Sequence, residues 1–176
     1  MSLSTAVLYM ECQHATVVYY DRNYLSDVVF TSKRYKRENP IYFQTVSGKL
    51  LKYADNSYTL HFYIYELLSN TYKRSFIEVN ANFCDFMSKD NIFSRSLKSA
   101  NFKLFTQCPI PPGEYHLDNM TTPFGPFLKG FPFKQGRIYF NVTRNDKVLA
   151  SAYADMRIKE MAAKEFYKYI AVRTTT

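Results

Sequence analysis

Any chemistry this chain performs must come from few side chains. Its 176 residues hold three cysteines and three histidines. Cys12, Cys84 and Cys108, and His14, His61 and His116, show no metal-ligand spacing among themselves. No glycine-rich phosphate loop and no Gly-x-Ser-x-Gly elbow occurs. Asp85 stands beside Cys84, but an acid next to a cysteine at a helix start is more simply a cap or a solvated charge. Nothing near Cys84 or Cys108 would lower a thiol pKa. The expectation is a chain that is not an enzyme, with no catalytic residue, metal or cofactor.

The spacing of the cysteines suggests structural chemistry instead. Cys84 follows a strand-like run, Ser75 to Asn80, and Cys108 opens a rigid turn, Cys108-Pro109-Ile110-Pro111-Pro112-Gly113, before a second run from Glu114 to Met120. Between them lies a polar, helix-compatible segment, Ser88 to Asn101. A Cys84–Cys108 disulfide would close an excursion of about 25 residues and stabilise the fold by roughly 3 kcal/mol in the chain-entropy picture. It would leave Cys12 over. Three buried, reduced cysteines in a cytosolic protein satisfy the same arithmetic.

The positioning elements read as strands. Sixteen Tyr and fifteen Phe bring the aromatic share to 18%, with five Gly and no Trp. Such residues suit a pleated, half-buried surface. Ser57 to Leu68 alternates most clearly, with Tyr58, Leu60, Phe62 and Ile64 on one face and Thr59, His61, Tyr63 and Tyr65 on the other. Ser69-Asn70-Thr71 turns the chain into an antiparallel partner, Tyr72 to Asn80. Ala15 to Tyr20 and Tyr24 to Thr31 read as an earlier pair, and Ile41 to Val46 and Lys49 to Tyr53 as a hairpin about Ser47-Gly48. Arg137 to Arg144 and Val148 to Ile158 form a last hairpin about Asn145-Asp146, with Val148, Ala150, Ala152, Ala154, Met156 and Ile158 sharing a face. The Phe- and Pro-rich stretch from Thr122 to Phe133 is irregular and plugs one end or lines a pocket mouth. Seven to nine strands with one short helical insert predict an all-β, two-sheet antiparallel sandwich: a single domain over residues 1–158 and a tail over 159–176. Met161 to Val172 fits a short helix or an irregular tail.

Charge and hydropathy narrow the partners. Lys and Arg outnumber Asp and Glu by 23 to 15, a net +8, which favours solubility and anionic surfaces without naming one. Lys33, Arg34, Lys36 and Arg37 cluster before Pro40, where a solvated loop is the commoner outcome. Cations among aromatics could stack single-stranded nucleic acid. Here they are scattered rather than set on one strand face, so nucleic acid is not an expected partner. No apolar run could span a bilayer, and Leu3 to Met10 is short for a signal peptide and lacks a basic leader. Taken literally that is a cytosolic chain; a chain whose leader has been removed reads identically.

At this point a family pattern emerges. The Cys108-Pro109-Ile110 turn, followed by Gly113-Glu114-Tyr115 and a strand, resembles the corresponding turn of the ML domains, the lipid-recognition β-sandwiches. The order of motifs also resembles a large insect family of small secreted proteins related to them. Its pattern is Cys84-Asp85-Phe86-Met87, a polar helix ending near Asn101, Cys108-Pro109, then Gly130-Phe131-Pro132-Phe133 leading into Arg137-Ile138-Tyr139. The resemblance covers Tyr58 to Ile158. It implies an ML-like, immunoglobulin-like sandwich, secretion, and an inter-sheet pocket for an apolar chain, as in the chemosensory proteins of insect taste hairs.

The residues allow such a pocket independently. Ala150, Ala152 and Ala154 place small side chains opposite a facing sheet about 10 Å away, leaving volume to be filled. Large neighbours such as Phe62, Phe140 and Tyr58 fill it, or a ligand does. Candidate liners by face parity are Tyr58, Leu60, Phe62, Ile64, Phe140, Ala150, Ala152 and Ala154. Each buried methylene of a ligand would contribute about 0.8 kcal/mol before ordering costs. Asn119-Met120-Thr121 and Asn141-Val142-Thr143 are N-glycosylation sequons, which fit export. The expected role is carriage of a lipid or hydrocarbon pheromone; the alternative is a secreted interaction module that docks on a membrane receptor without a lipid.

Overall fold

A computed structural model describes residues 5–100 and 108–172. It contains strands β1 (Ala6–Tyr20), β2 (Leu25–Lys33), β3 (Phe43–Leu50), β4 (Tyr58–Leu68) and β5 (Thr71–Asn82). Helices α1 (Phe83–Ser88) and α2 (Ile92–Ala100) follow, then β6 (Gly113–Met120), a 3-10 turn (Pro126–Gly130), β7 (Gln135–Arg144), β8 (Lys147–Ala162) and α3 (Ala163–Ala171). The strands form a five-stranded sheet, β1-β8-β7-β4-β5, and a three-stranded sheet, β2-β3-β6. All pairings are antiparallel. The fold is an all-β sandwich, as the alternation predicts.

Two of its hairpins follow from local turn chemistry. Ser69 and Asn70 take φ of 48° and 63° between the paired Leu68 and Thr71. Asn145 and Asp146 take 50° and 60° between Arg144 and Lys147. Both central residues at positive φ is the two-residue turn whose twist matches the strands it joins, and Asn and Asp tolerate it well.

Four sequence expectations are corrected or extended. Ser47-Gly48 is no hairpin: β3 runs straight through it, with Ser47 between Val29 and His116 and Gly48 beside Tyr115. The glycine instead faces a bulge in β2, where Asp27 takes φ 53°, a usual place for glycine inside a strand. β1 starts at Ala6 rather than Ala15, because a bulge at His14 (φ 51°) shifts the alternation mid-strand. Val148 is exposed and Leu149 buried, since a register shift between Val142 and Thr143 flips the parity at the start of β8. Beyond it, Ala150, Ala154 and Met156 keep the expected face. Finally, Met161 to Val172 settles as the end of β8 and a helix, anchored by the fully buried Phe166 against Tyr9 (5.5 Å) and Phe124 (4.8 Å).

The sandwich is closed differently along its two sides. On one side Ser32 Oγ and Gln44 Nε2 both donate to the Cys12 carbonyl, at 2.5 and 3.2 Å, tying β2 and β3 to β1. On the other lies the helical excursion. Asn91 caps α2, its Oδ1 accepting the Phe93 and Ser94 amides at 3.1 and 2.8 Å, while Ser94 Oγ accepts the Asn91 amide. Ser99 Oγ accepts the Thr121 amide at 2.9 Å, holding α2 to the end of β6. The Phe-rich stretch plugs one end: Leu128 and Phe133 are buried in the main core, whereas Phe127 stays 61% exposed.

Candidate functional site

Cys84 and Cys108 form a disulfide, with Cα atoms 5.8 Å apart. Its surroundings fix the excursion to the sandwich. Asn56, in the turn before β4, accepts the Cys84 and Asp85 amides on Oδ1 and donates to the Asp85 carboxylate at 3.1 Å. Asp85 is thus a structural acceptor at the start of α1. After the cis Cys108–Pro109 bond, Ile110 and Ala54 exchange two backbone hydrogen bonds of 2.9 Å each.

Behind this staple, between the sheets, lies a cavity of about 440 Å³ with almost wholly apolar walls. That is within the size range of small-molecule sites. Seven of the eight predicted liners stand on its wall: Tyr58, Leu60, Phe62, Phe140, Ala150, Ala152 and Ala154. Ile64 does not; it is 2% exposed and belongs to the solid core with Leu128, Phe133 and Met156. The same strand face therefore lines the cavity at its start and fills the core toward its end.

The hollow has a packing cause. Phe62 stacks on Phe93 of α2 (4.7 Å) and on Phe86 of α1 (5.3 Å), so its ring serves the helices. Phe140 meets Phe30 of the opposite sheet edge-on at 5.9 Å, spanning the gap at one place. Next to these, Ala150 and Ala152 pair with Val142 and Phe140 on β7, and Ala150 with Tyr20 on β1. Alanine leaves the volume there unclaimed.

The facing wall was not among the predicted liners. It comprises Val28 and Phe30 of β2, Val46 of β3 and Leu117 of β6, with Phe93 and Leu97 of α2 at one end. The signals were present: alternate residues in β2, and an i, i+4 apolar pair on α2. Tyr19 lines the cavity and is also 46% exposed.

Titratable groups in and around the site are structural. Cys12, the unpaired cysteine, is buried in the wall, where burial and then the charge of Glu11 push its thiol up to about 12. Such a thiol is no nucleophile near neutral pH. Glu11, itself buried, is paired with Lys159 at 2.9 Å. The histidines lie apart: His14 against Asp155 (3.0 Å), His61 between Asn80 (2.5 Å) and Thr143 (2.8 Å), His116 beside Glu114 (3.2 Å). Among the described residues no three His, Cys, Asp or Glu side chains gather as a metal site. Lys33, Arg34, Lys36 and Arg37 are exposed around the end of β2.

The outer face of the five-stranded sheet is filled rather than hollow. Arg137 lies over the rings of Tyr72 (4.2 Å) and Tyr153 (4.0 Å) and bonds Asp155 at 2.7 Å. Tyr139 bridges Tyr65 and Tyr153, at 4.8 and 5.5 Å between centroids. Of the sequon residues, Asn119 sits at the end of β6 with φ 54°, and Asn141 accepts a bond from Ser151 Oγ (2.8 Å) in mid-sheet. Both are half-buried.

Among the described residues no helix is long and apolar enough to cross a membrane. No curated protein matches the chain. Residues 58–140, just under half of it, match a family model described as a protein of unknown function, DUF1091. That stretch of this chain runs from Tyr58 to Phe140 and contains both disulfide cysteines.

Proposed function

We propose that this chain is a secreted, ML-like carrier of a hydrophobic small molecule, a lipid or hydrocarbon pheromone, in a chemosensory setting. The observation that carries the reading is the apolar cavity of about 440 Å³ between the sheets, walled by the alanine stripe of β8. A gap of this size left empty forfeits dispersion contacts along its whole lining, and a hydrocarbon chain restores them. The Cys84–Cys108 disulfide favours an oxidising compartment, where such bonds persist. The match over residues 58–140 falls within the part of the chain, Tyr58 to Ile158, that resembles the insect secreted family.

Native mass spectrometry of protein purified from an oxidising host tests this directly. The expected spectrum carries an adduct of a few hundred daltons that leaves at raised collision energy, together with the two-proton mass loss of one disulfide. An adduct-free protein that also fails to take up a long-chain fluorescent probe sinks the carrier reading.

A second reading, a receptor-docking module without a lipid, draws on Phe76, which is 86% exposed on the edge strand β5, near the exposed Val79. Large apolar side chains left open on an edge strand suit a protein contact. Loss of receptor binding by Phe76→Ser with unchanged probe uptake would favour it.

A further inference from the structure

The run of cations after β2 is not an isolated loop. Lys33, Arg34, Lys36 and Arg37 are all exposed, yet the segment that carries them is held firmly. Asn39, buried at its end, accepts the Ile41 amide on Oδ1 at 2.9 Å and donates from Nδ2 to the Tyr169 carbonyl at 3.2 Å. Tyr35 turns inward and meets Phe43 edge-on at 4.9 Å. These contacts bind the segment to the core cluster of Tyr9, Ile41, Phe43 and Phe166, which also seats α3.

α3 brings more charge to the same end. Its Phe166 is fully buried, while Lys164, Tyr167 and Lys168 are exposed. Residues three and four apart share a helix face, so the three stand together on the side away from the core. Six cations thus gather against two acids of the same segments, Glu38 and Glu165, which is half of the chain's net +8. The adjoining end of β8 is neutral: Lys159 is paired with the buried Glu11, and the exposed Arg157 and Glu160 offset one another. Among the described residues none of the six cations is in an ion pair. Like charges held so close repel, and a negative surface laid against them turns that repulsion into attraction.

The partner that fits is broad and negative. Tyr35 and Tyr169 are turned into the core cluster and Arg34 covers Tyr42, so these rings are not open for bases to stack on. Tyr167, half exposed beside two lysines, suits the headgroup level of a bilayer, where tyrosine is enriched. The apolar face of α3 is already used against the core, which makes any such contact peripheral and electrostatic. We infer that this end of the molecule docks on an anionic lipid surface, with Lys33, Arg34, Lys36, Arg37 and the outer face of α3 against the headgroups. None of these residues lines the inter-sheet cavity, so docking is a second activity, independent of carriage.

Sedimentation of the disulfide-bonded protein with vesicles tests it. The protein should pellet with phosphatidylcholine vesicles containing about a third phosphatidylserine at about 0.1 M salt, and be released at about 0.5 M. With phosphatidylcholine alone it should stay in solution. Lys36→Gln with Arg37→Gln should weaken binding roughly thirtyfold, the effect of two cations near a charged surface. Lys164→Gln with Lys168→Gln should do the same from α3. The control removes equal charge at the opposite end of β3, an eight-residue strand of about 25 Å. There Lys49→Gln with Lys52→Gln should change binding by no more than about threefold, because salt screens charges so far away. Equal pelleting with both vesicles, none with either, or a control as damaging as the two patch variants overturns the assignment. So does retention on a sulfated polysaccharide column without vesicle binding, which makes the partner a soluble polyanion. Uptake of the long-chain fluorescent probe, read in parallel, tests carriage separately.

Discussion

The five-stranded sheet has two faces built from the same strands, and they solve opposite problems. Outward, Tyr72, Tyr139 and Tyr153 lie about Arg137, and Asp155 pairs with both Arg137 and His14. Inward, the same strands present Leu60, Phe62, Phe140, Ala150 and Ala152, and the facing sheet does not reach them everywhere. The outer face is open to solvent yet closely knit, because long side chains can bend to find one another. The inner face is shielded yet hollow, because alanine cannot bend and the neighbouring phenylalanines are already stacked on α1 and α2. Side-chain length, more than hydrophobicity, separates a filled surface from a cavity.

The largest expected effect tests what keeps the inner face enclosed. Cys84→Ser with Cys108→Ser should lower stability by about 3 kcal/mol, the loop-closure term for a 24-residue separation. Denaturant titration gives the loss. Hydrogen exchange should show it concentrated in α1 and α2, with the central strands β4 and β7 nearly unaffected. A loss shared evenly between helices and sheet would mean that the excursion is not a separate cover.

The outer face comes next. Burial alone would raise the Asp155 carboxyl, but bonds from Arg137, His14 and Tyr72 outweigh it and hold its pKa below the usual carboxylate range. A depressed folded pKa stabilises the fold above the unfolded value, about 3.9, and that contribution fades as pH falls through the lower folded value. Asp155→Ala should therefore cost about 2 kcal/mol at neutral pH, since it strands Arg137, and little once the wild-type carboxyl is protonated. Chemical denaturation at pH 7 and near pH 2 checks both halves. A penalty that does not shrink in acid would show that the aspartate acts through packing.

How far this contrast could be read beforehand depended on whether the alternation stayed in phase. β4 and β7 pair in unbroken register from Tyr58–Arg144 to Glu66–Gly136, and their inner residues were legible. Where bulges intervene, at His14 in β1, Asp27 in β2 and the start of β8, parity misleads; Val148 and Leu149 exchange places for that reason. Ile64 shows a second limit. It shares a face with Tyr58 and Phe62, but whether a face lines a void or a core depends on the segment opposite, and Leu128 and Phe133 arrive there from a distant loop. The disulfide was legible as a pairing of motifs.

The unpaired thiol offers a smaller test of enclosure. With a pKa pushed up to about 12 by burial and Glu11, Cys12 should resist alkylation at pH 8 in the folded protein and react on unfolding. Because it lines the cavity, a bound chain should slow even its residual labelling. Labelling at the rate of a free thiol would mean that this end of the cavity opens to water.

The smallest change in stability should accompany the largest change in binding, and that pairing decides between void and core. Ala152 stands on the cavity wall, paired with Phe140 on one side and Val17 on the other. In a solid interior, Ala152→Leu would add three carbons where none fit and cost about 1–3 kcal/mol. Facing a cavity of about 440 Å³, the added carbons enter free space and gain contacts. The expected outcome is a melting temperature unchanged or slightly raised, by no more than about 1 kcal/mol of stability. Ligand affinity should fall at least tenfold, about 1.4 kcal/mol, as the leucine occupies the volume of the tail. Tyr153→Leu, one residue along and on the outer face, is the control: it removes the ring beneath Arg137 and should leave binding alone. If the two substitutions exchanged their effects, the assignment of hollow and filled faces would be reversed.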